Sequence, residues 1–172
     1  MAREPYRVRL VDVINNEVIR PWRACRYVAL SYVWRDTKQY RAQRADLVCC
    51  EKKHDCGSMG RPVVPIDRSK LSRTVQDATN LVEAVGERYL WVDTLCIIQD
   101  DEKELNTTLK SMAKIYENAQ FTIVAADGKN ADAGLPGVRP QSRSLRNVTG
   151  IVDGIPLIQQ RSRLQLESTP WA

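Results

Sequence analysis

The chain has 172 residues, of which 43% are hydrophobic and 27% charged, and it carries a net charge of +5. That suits one globular domain with a sizeable core, while no apolar run reaches the roughly 18–20 residues that span a bilayer, so no membrane partner is expected. The basic bias is mild and spread along the chain without any nucleic-acid-reading motif, so nucleic acid is not expected as a partner either.

The opening residues MAREPYRVRLVDV hold no signal-peptide core and no myristoylation glycine, which makes a cytoplasmic location the expectation. YRVRLVDVINNEVIRP alternates and then turns at Asn15-Asn16, the pattern of a β-hairpin, so residues 1–26 are expected to form an N-terminal hairpin extension. YVALSYVW, Tyr27 to Trp34, is a short apolar run of strand type. Residues 35–65 are polar and rich in turn formers, and they are expected to form a loop insertion with little core of its own.

That loop contains CCEKKHDCG, which gathers Cys49, Cys50, His54 and Cys56. Zinc sites draw ligand pairs from two separated places, and the remaining cysteines, Cys25 and Cys96, are isolated. An exposed loop is therefore preferred to a zinc site, and no metal is assigned. Five cysteines, an odd number without a secretion signal, point to reduced thiols.

In LSRTVQDATNLVEAVG the period changes. Leu71, Val75, Ala78, Val82 and Val85 recur on one helical face, with Ser72 placed to cap the start and Gly86 to stop the end. Arg73, Gln76, Asn80 and Glu83 are left for water. RYLWVDTLCII is too uniformly apolar for a one-sided strand and predicts one buried on both faces, as in a parallel sheet between helices. A second helix is expected from about Glu102 to Ala119, with Leu105, Leu109, Met112, Ile115, Tyr116 and Ala119 inward. FTIVAA predicts another buried strand, and GIVDGIPLIQ a last hairpin turning at Asp153-Gly154. This order predicts an α/β fold with a parallel-sheet core flanked by helices and with peripheral β-hairpins.

Asp93 is the residue that asks for explanation, because an unpaired carboxylate inside an apolar strand is costly. Ligands of open α/β sheets bind beyond the carboxyl ends of the strands. Asp93, Thr94 and Cys96 lie towards that end of the central strand, and Ser31, Tyr32 and Trp34 at the end of the first. If the two strands are neighbours, these residues form a crevice with an acid, hydroxyls and an aromatic wall. The alternative is that Asp93 accepts hydrogen bonds from nearby amides or an arginine and only fixes the loop.

Asp100 and Asp101 could hold a metal or a ribose, but capping the following helix is the preferred reading. Cys96 has no histidine to activate it, since the only one, His54, lies in the insertion loop. Trp34 and Trp91 read as core aromatics rather than stacking platforms. The loop DGKNADAGLPGV lacks the spacing of a phosphate cradle.

Three blocks carry a family resemblance: YVALSYVW, then LSRTVQDATNLVEAVGERYLWVDTLCIIQDD, then MAKIYENAQFTIVAADGKNADAGLPGV. In order and spacing they resemble the fungal heterokaryon-incompatibility (HET) domain over about Tyr27 to Arg139, which would make 27–139 the core domain and 140–172 a basic C-terminal extension. The resemblance implies a signalling module that triggers programmed cell death when incompatible strains fuse, acting through self-association or contacts with other HET or sensor domains. It also implies a distant likeness to the Toll/interleukin-receptor (TIR) domain, a flavodoxin-like α/β unit.

Some TIR domains cleave NAD with a glutamate carried on a helix. An NAD(P)-cleaving nucleosidase using Asp93 or a nearby glutamate is therefore the alternative function, for which NAD or a related nucleotide would be bound.

Two departures from the family pattern stand out. Trp34 is followed by Arg35 where the family has glycine, and the acid expected one turn before Met112 is missing near Thr108. Glu102 and Glu104 lie earlier on the same helix. Trp171 falls where family members usually continue, so the chain is expected to be a truncated or short form.

Overall fold

The computed structural model describes residues 8–21, 23–35, 37–47, 60–140, 142, 149–152 and 155–158, with the side chains of 60–63 and 149–158 left aside. Six strands make one sheet: β1 (Leu10–Asp12), β2 (Glu17–Pro21), β3 (Val28–Ser31), β4 (Gly60–Pro65), β5 (Tyr89–Trp91) and β6 (Thr122–Val124). Their spatial order is β4-β2-β1-β5-β3-β6. Three helices accompany them, α1 (Arg73–Ala84), the single turn α2 (Asp93–Cys96) and α3 (Glu102–Asn118). β7 (Thr149–Val152) and β8 (Ile155–Ile158) pair antiparallel as the separate hairpin expected from the sequence.

The sheet has two halves of opposite character. β5, β3 and β6 run parallel, whereas β2 is antiparallel to both of its neighbours, β4 and β1, and β1 meets β5 antiparallel. The N-terminal hairpin is thus part of the main sheet, which corrects its expected peripheral place. Its polar alternation was misleading, because Arg9 and Asp12 are both buried and ion-paired.

A second correction concerns the insertion at 35–65. β4 extends the sheet, and Ala42 is fully buried, donating its N–H to the Thr94 carbonyl and accepting from Gln99. Pro62 and Pro65 disguised the strand, but β4 is an edge, where a missing N–H is tolerated. The Cys49, Cys50, His54 and Cys56 cluster lies outside the described residues, as do Trp171 and the Asp153-Gly154 turn.

The expected central strand is shorter than its apolar run. β5 stops at Trp91, and Asp93–Cys96 coils into a helical turn, since apolar continuity alone does not separate strand from buried helix. β5 does lie mid-sheet, between β1 and β3. β6, expected to be buried, is an edge strand whose Val124 is exposed. On α3, Leu105, Met112, Ile115, Tyr116 and Ala119 pack inward as expected, but Leu109 faces out.

From β3 the chain runs out to the edge strand β4 before entering α1 and β5, and then passes through α3 to β6 beside β3. α1 packs against β3 and β5, while Tyr116 of α3 meets Trp91 edge-on at 5.6 Å.

In chain order the parallel strands lie second, first, third, an order shared with the start of a flavodoxin-like sheet. The antiparallel half departs from that fold. The architecture is therefore mixed α/β, coarser than the TIR/flavodoxin-like expectation.

α1 ends as expected. Gly86 has φ of +78°, its N–H donates to the Glu83 carbonyl and Glu87 N–H to that of Val82, the paired bonds of a Schellman stop. Val85, assigned inward from the periodicity, is exposed. Ser72 occupies the N-cap position, but its hydroxyl makes no capping bond. Asp132 Oδ1 accepts from Arg73 N–H instead, and the Ala131 carbonyl from Thr74 N–H. The glycine-rich loop after β6 is thus a clasp on α1.

Candidate functional site

β3 and β5 are adjacent and parallel, with Val28 opposite Leu90 and Ala29 opposite Trp91. Their carboxyl ends open on the same side, so the chain just beyond β3 (Tyr32, Trp34) lies beside the chain just beyond β5 (Asp93, Thr94). Tyr32 is buried, and its hydroxyl lies 3.0 Å from Thr94 Oγ1 and 2.9 Å from Gln39 Oε1. With the phenol donating to Gln39, the Thr94 hydroxyl donates to Tyr32. Burial and then the neighbouring Asp93 charge push the Tyr32 phenol well above its ordinary range.

Asp93 opens α2. One carboxylate oxygen accepts the Thr94 amide at 2.8 Å, and its backbone carbonyl accepts Gln99 Nε2 at 3.1 Å. None of the ion pairs among the described residues involves it. Burial raises the carboxyl from 3.8 to about 7, against smaller opposing pulls from the Thr94 amide and the Trp34 side chain. A carboxyl that titrates near neutrality can take or give a proton at physiological pH. The Arg41 guanidinium sits 5.2 Å from the Trp34 ring centroid, which brings a cation onto the aromatic wall. Tyr116 belongs to the same neighbourhood: burial and then Asp93 raise its phenol, and Ser31 hydrogen-bonds it.

The structure thus brings Ser31, Tyr32, Trp34, Asp93 and Thr94 together. Gln39, Arg41 and Tyr116 complete the surroundings. Their sequence carries little signal, since the first two lie in a polar, turn-rich segment and Tyr116 sits at an inward position of the α3 period.

The other residues singled out from the sequence lie elsewhere. Cys96 is buried with its Sγ 3.9 Å from the Leu90 carbonyl, and burial pushes the thiol up to about 12, which leaves it a poor nucleophile. Asp101 caps α3, accepting Glu104 N–H at 3.1 Å, and pairs with Arg44 at 3.0 Å. Asp100 accepts the Arg44 amide at 2.8 Å. Both acids therefore fix the α3 entry.

Of the earlier acids on α3, Glu102 is exposed and Glu104 grips Arg9 through both carboxylate oxygens. Among the described residues no cluster of three or more His, Cys, Asp or Glu side chains could hold a metal ion. No described helix is long and apolar enough to cross a membrane.

Comparison with known proteins gives one result. The family described as Heterokaryon incompatibility protein (HET) matches residues 27–171, from the residue before β3 to near the end of the chain. No curated protein and no solved structure matches significantly. Because the matched span covers most of the sequence and all of the parallel half-sheet, the chain belongs to the heterokaryon incompatibility (HET) family.

Proposed function

We propose that the chain is a signalling module of fungal heterokaryon incompatibility, which triggers cell death by associating with itself or with another HET or sensor domain. The observation that carries this reading is the free edge of the parallel half-sheet. β6 bonds only to β3 among the described residues, and Val124 and Phe121 stand exposed beside it, 59% and 42% respectively. An unprotected apolar edge is a template for pairing with another chain. Light scattering over a concentration series, alongside growth arrest on expression in a filamentous fungus, tests the proposal. A protein that stays monomeric at high concentration and leaves growth unaffected overturns it.

Asp93 favours a second reading, hydrolysis of NAD or a related nucleotide beside Asp93 at the carboxyl ends of β3 and β5. A carboxyl raised to about 7 supports proton transfer there. The helix position near Thr108, where an acid would be expected for TIR-like cleavage, holds threonine, so Asp93 is the acid this reading depends on. Nicotinamide release by purified protein, abolished in Asp93→Ala, would establish it. Release that survives the substitution would remove Asp93 from the reaction.

A further inference from the structure

A cleft whose lining excludes Asp93 lies between the start of β1 and the first turns of α3. It encloses about 400 Å³, and its lining includes Arg9, Arg20, Trp91, Lys103, Glu104 and Thr108. That volume falls within the roughly 300–1,000 Å³ typical of small-molecule sites. We infer that this cleft binds the phosphate monoester group, or an equivalent doubly charged oxyanion, of a small metabolite.

Charge accounting selects the ligand. Two acids line the cleft, and both are already matched. Glu104 takes the Arg9 guanidinium end-on, with Oε2 2.8 Å from Nη2 and Oε1 on Nη1. Asp101 is committed to Arg44 and to the α3 cap. Arg20 and Lys103 have no side-chain hydrogen bond or ion pair among the described residues, so two positive charges remain uncompensated. A dianionic group balances both, where a carboxylate balances one.

Arg9 supplies an independent sign of a missing partner. Its side chain is only 8% exposed, it lines the cleft, and its Nε is buried without an acceptor. Leaving such a donor unsatisfied is unfavourable. With Glu104 on the two terminal nitrogens, the Nε–H is a buried donor of the same guanidinium left without an acceptor. Val8 and the fully buried Trp91 supply apolar parts of the lining. Glu104 Oε1 also accepts the Ile98 amide at 3.4 Å, which ties this cleft to the segment that carries Asp93.

Calorimetric titration of the full chain with inorganic phosphate and with acetate, at matched ionic strength, tests the site. Phosphate should bind and acetate should not compete. Arg20→Gln combined with Lys103→Gln, both exposed positions, should weaken phosphate binding about tenfold. Arg26→Gln, an exposed cation outside the cleft, should leave it unchanged. Phosphate binding no tighter than acetate, or equal binding by the double variant and the parent, overturns the inference. The inference does not rest on self-association, since the titration reads ligand binding in dilute protein.

Discussion

Asp77 and Arg139 hold each other across the surface of α1 although 62 positions separate them. Asp77 is 1% exposed, and its other oxygen accepts the Leu135 amide at 2.8 Å. The carboxylate therefore binds the chain after β6 at two points. Gly134 N–H adds a third, donating to Thr74 Oγ1 at 3.1 Å. A loop rich in glycine and aspartate is ordered because α1 supplies the acceptors that its backbone lacks.

Asp77→Ala should cost about 3 kcal/mol, since it strands a buried amide and a half-buried guanidinium together. Chemical denaturation should show a lower midpoint with unchanged slope. A midpoint within error of the parent would mean that the clasp is not coupled to the fold.

The Asp93 carboxyl gives a pH-dependent prediction. It titrates at about 7 in the folded chain and near 3.8 unfolded, so between those values the native state holds the extra proton. Stability from this group is complete below about pH 4 and is lost as the pH rises through 7. Asp93→Asn cannot ionise yet still accepts the Thr94 amide, so it should be more stable than the parent at pH 8, by on the order of 2 kcal/mol. At pH 4 the gain should vanish. Urea denaturation at both pH values checks this, and a gain independent of pH would place the carboxyl's titration elsewhere.

How far the sequence revealed this depends on how local each cause is. α1, its Gly86 stop, α3 and its Asp101 cap were legible, because each cause acts within a turn or two. The α1 start was not, since Asp132 rather than Ser72 accepts its first amide. The Asn15-Asn16 turn was legible for the same reason, and Asn16 has φ of 54°. Asp93 was legible as an exit from the sheet because an acid interrupts an apolar run. Its coiling into α2 was not, since Leu95, Ile97 and Ile98 are buried either way. Arg9 with Glu104 and Asp12 with Arg88 left no trace in the sequence: each pair joins residues dozens of positions apart, and the buried partner on β1 or just before it reads as ordinary alternation.

The glycines separate backbone strain from steric conflict. Gly86 has φ of +78° and open space around a built Cβ, so Gly86→Ala should cost only the strain, about 1 kcal/mol. Gly134 has φ of +76° and would bring a Cβ to 2.7 Å from Asp77 Oδ2, so Gly134→Ala should lose more, about 2–3 kcal/mol. Combining Gly134→Ala with Asp77→Ala should then cost less than the sum, because the collision and the clasp share one carboxylate. Strict additivity in thermal melts would contradict the shared origin.

Val124→Lys tests the exposed edge without disturbing the core. The side chain already faces water, so folding stability should change by no more than about 0.5 kcal/mol. A charge on an edge strand opposes docking of another strand alongside it, because the incoming chain would have to desolvate the ammonium. If β6 is the contact, sedimentation at high concentration should show association reduced at least about tenfold. Val85→Lys on α1, exposed and away from β6, should associate like the parent. Equal loss from both substitutions would point to general charge repulsion, and no loss from either would move the contact to another surface.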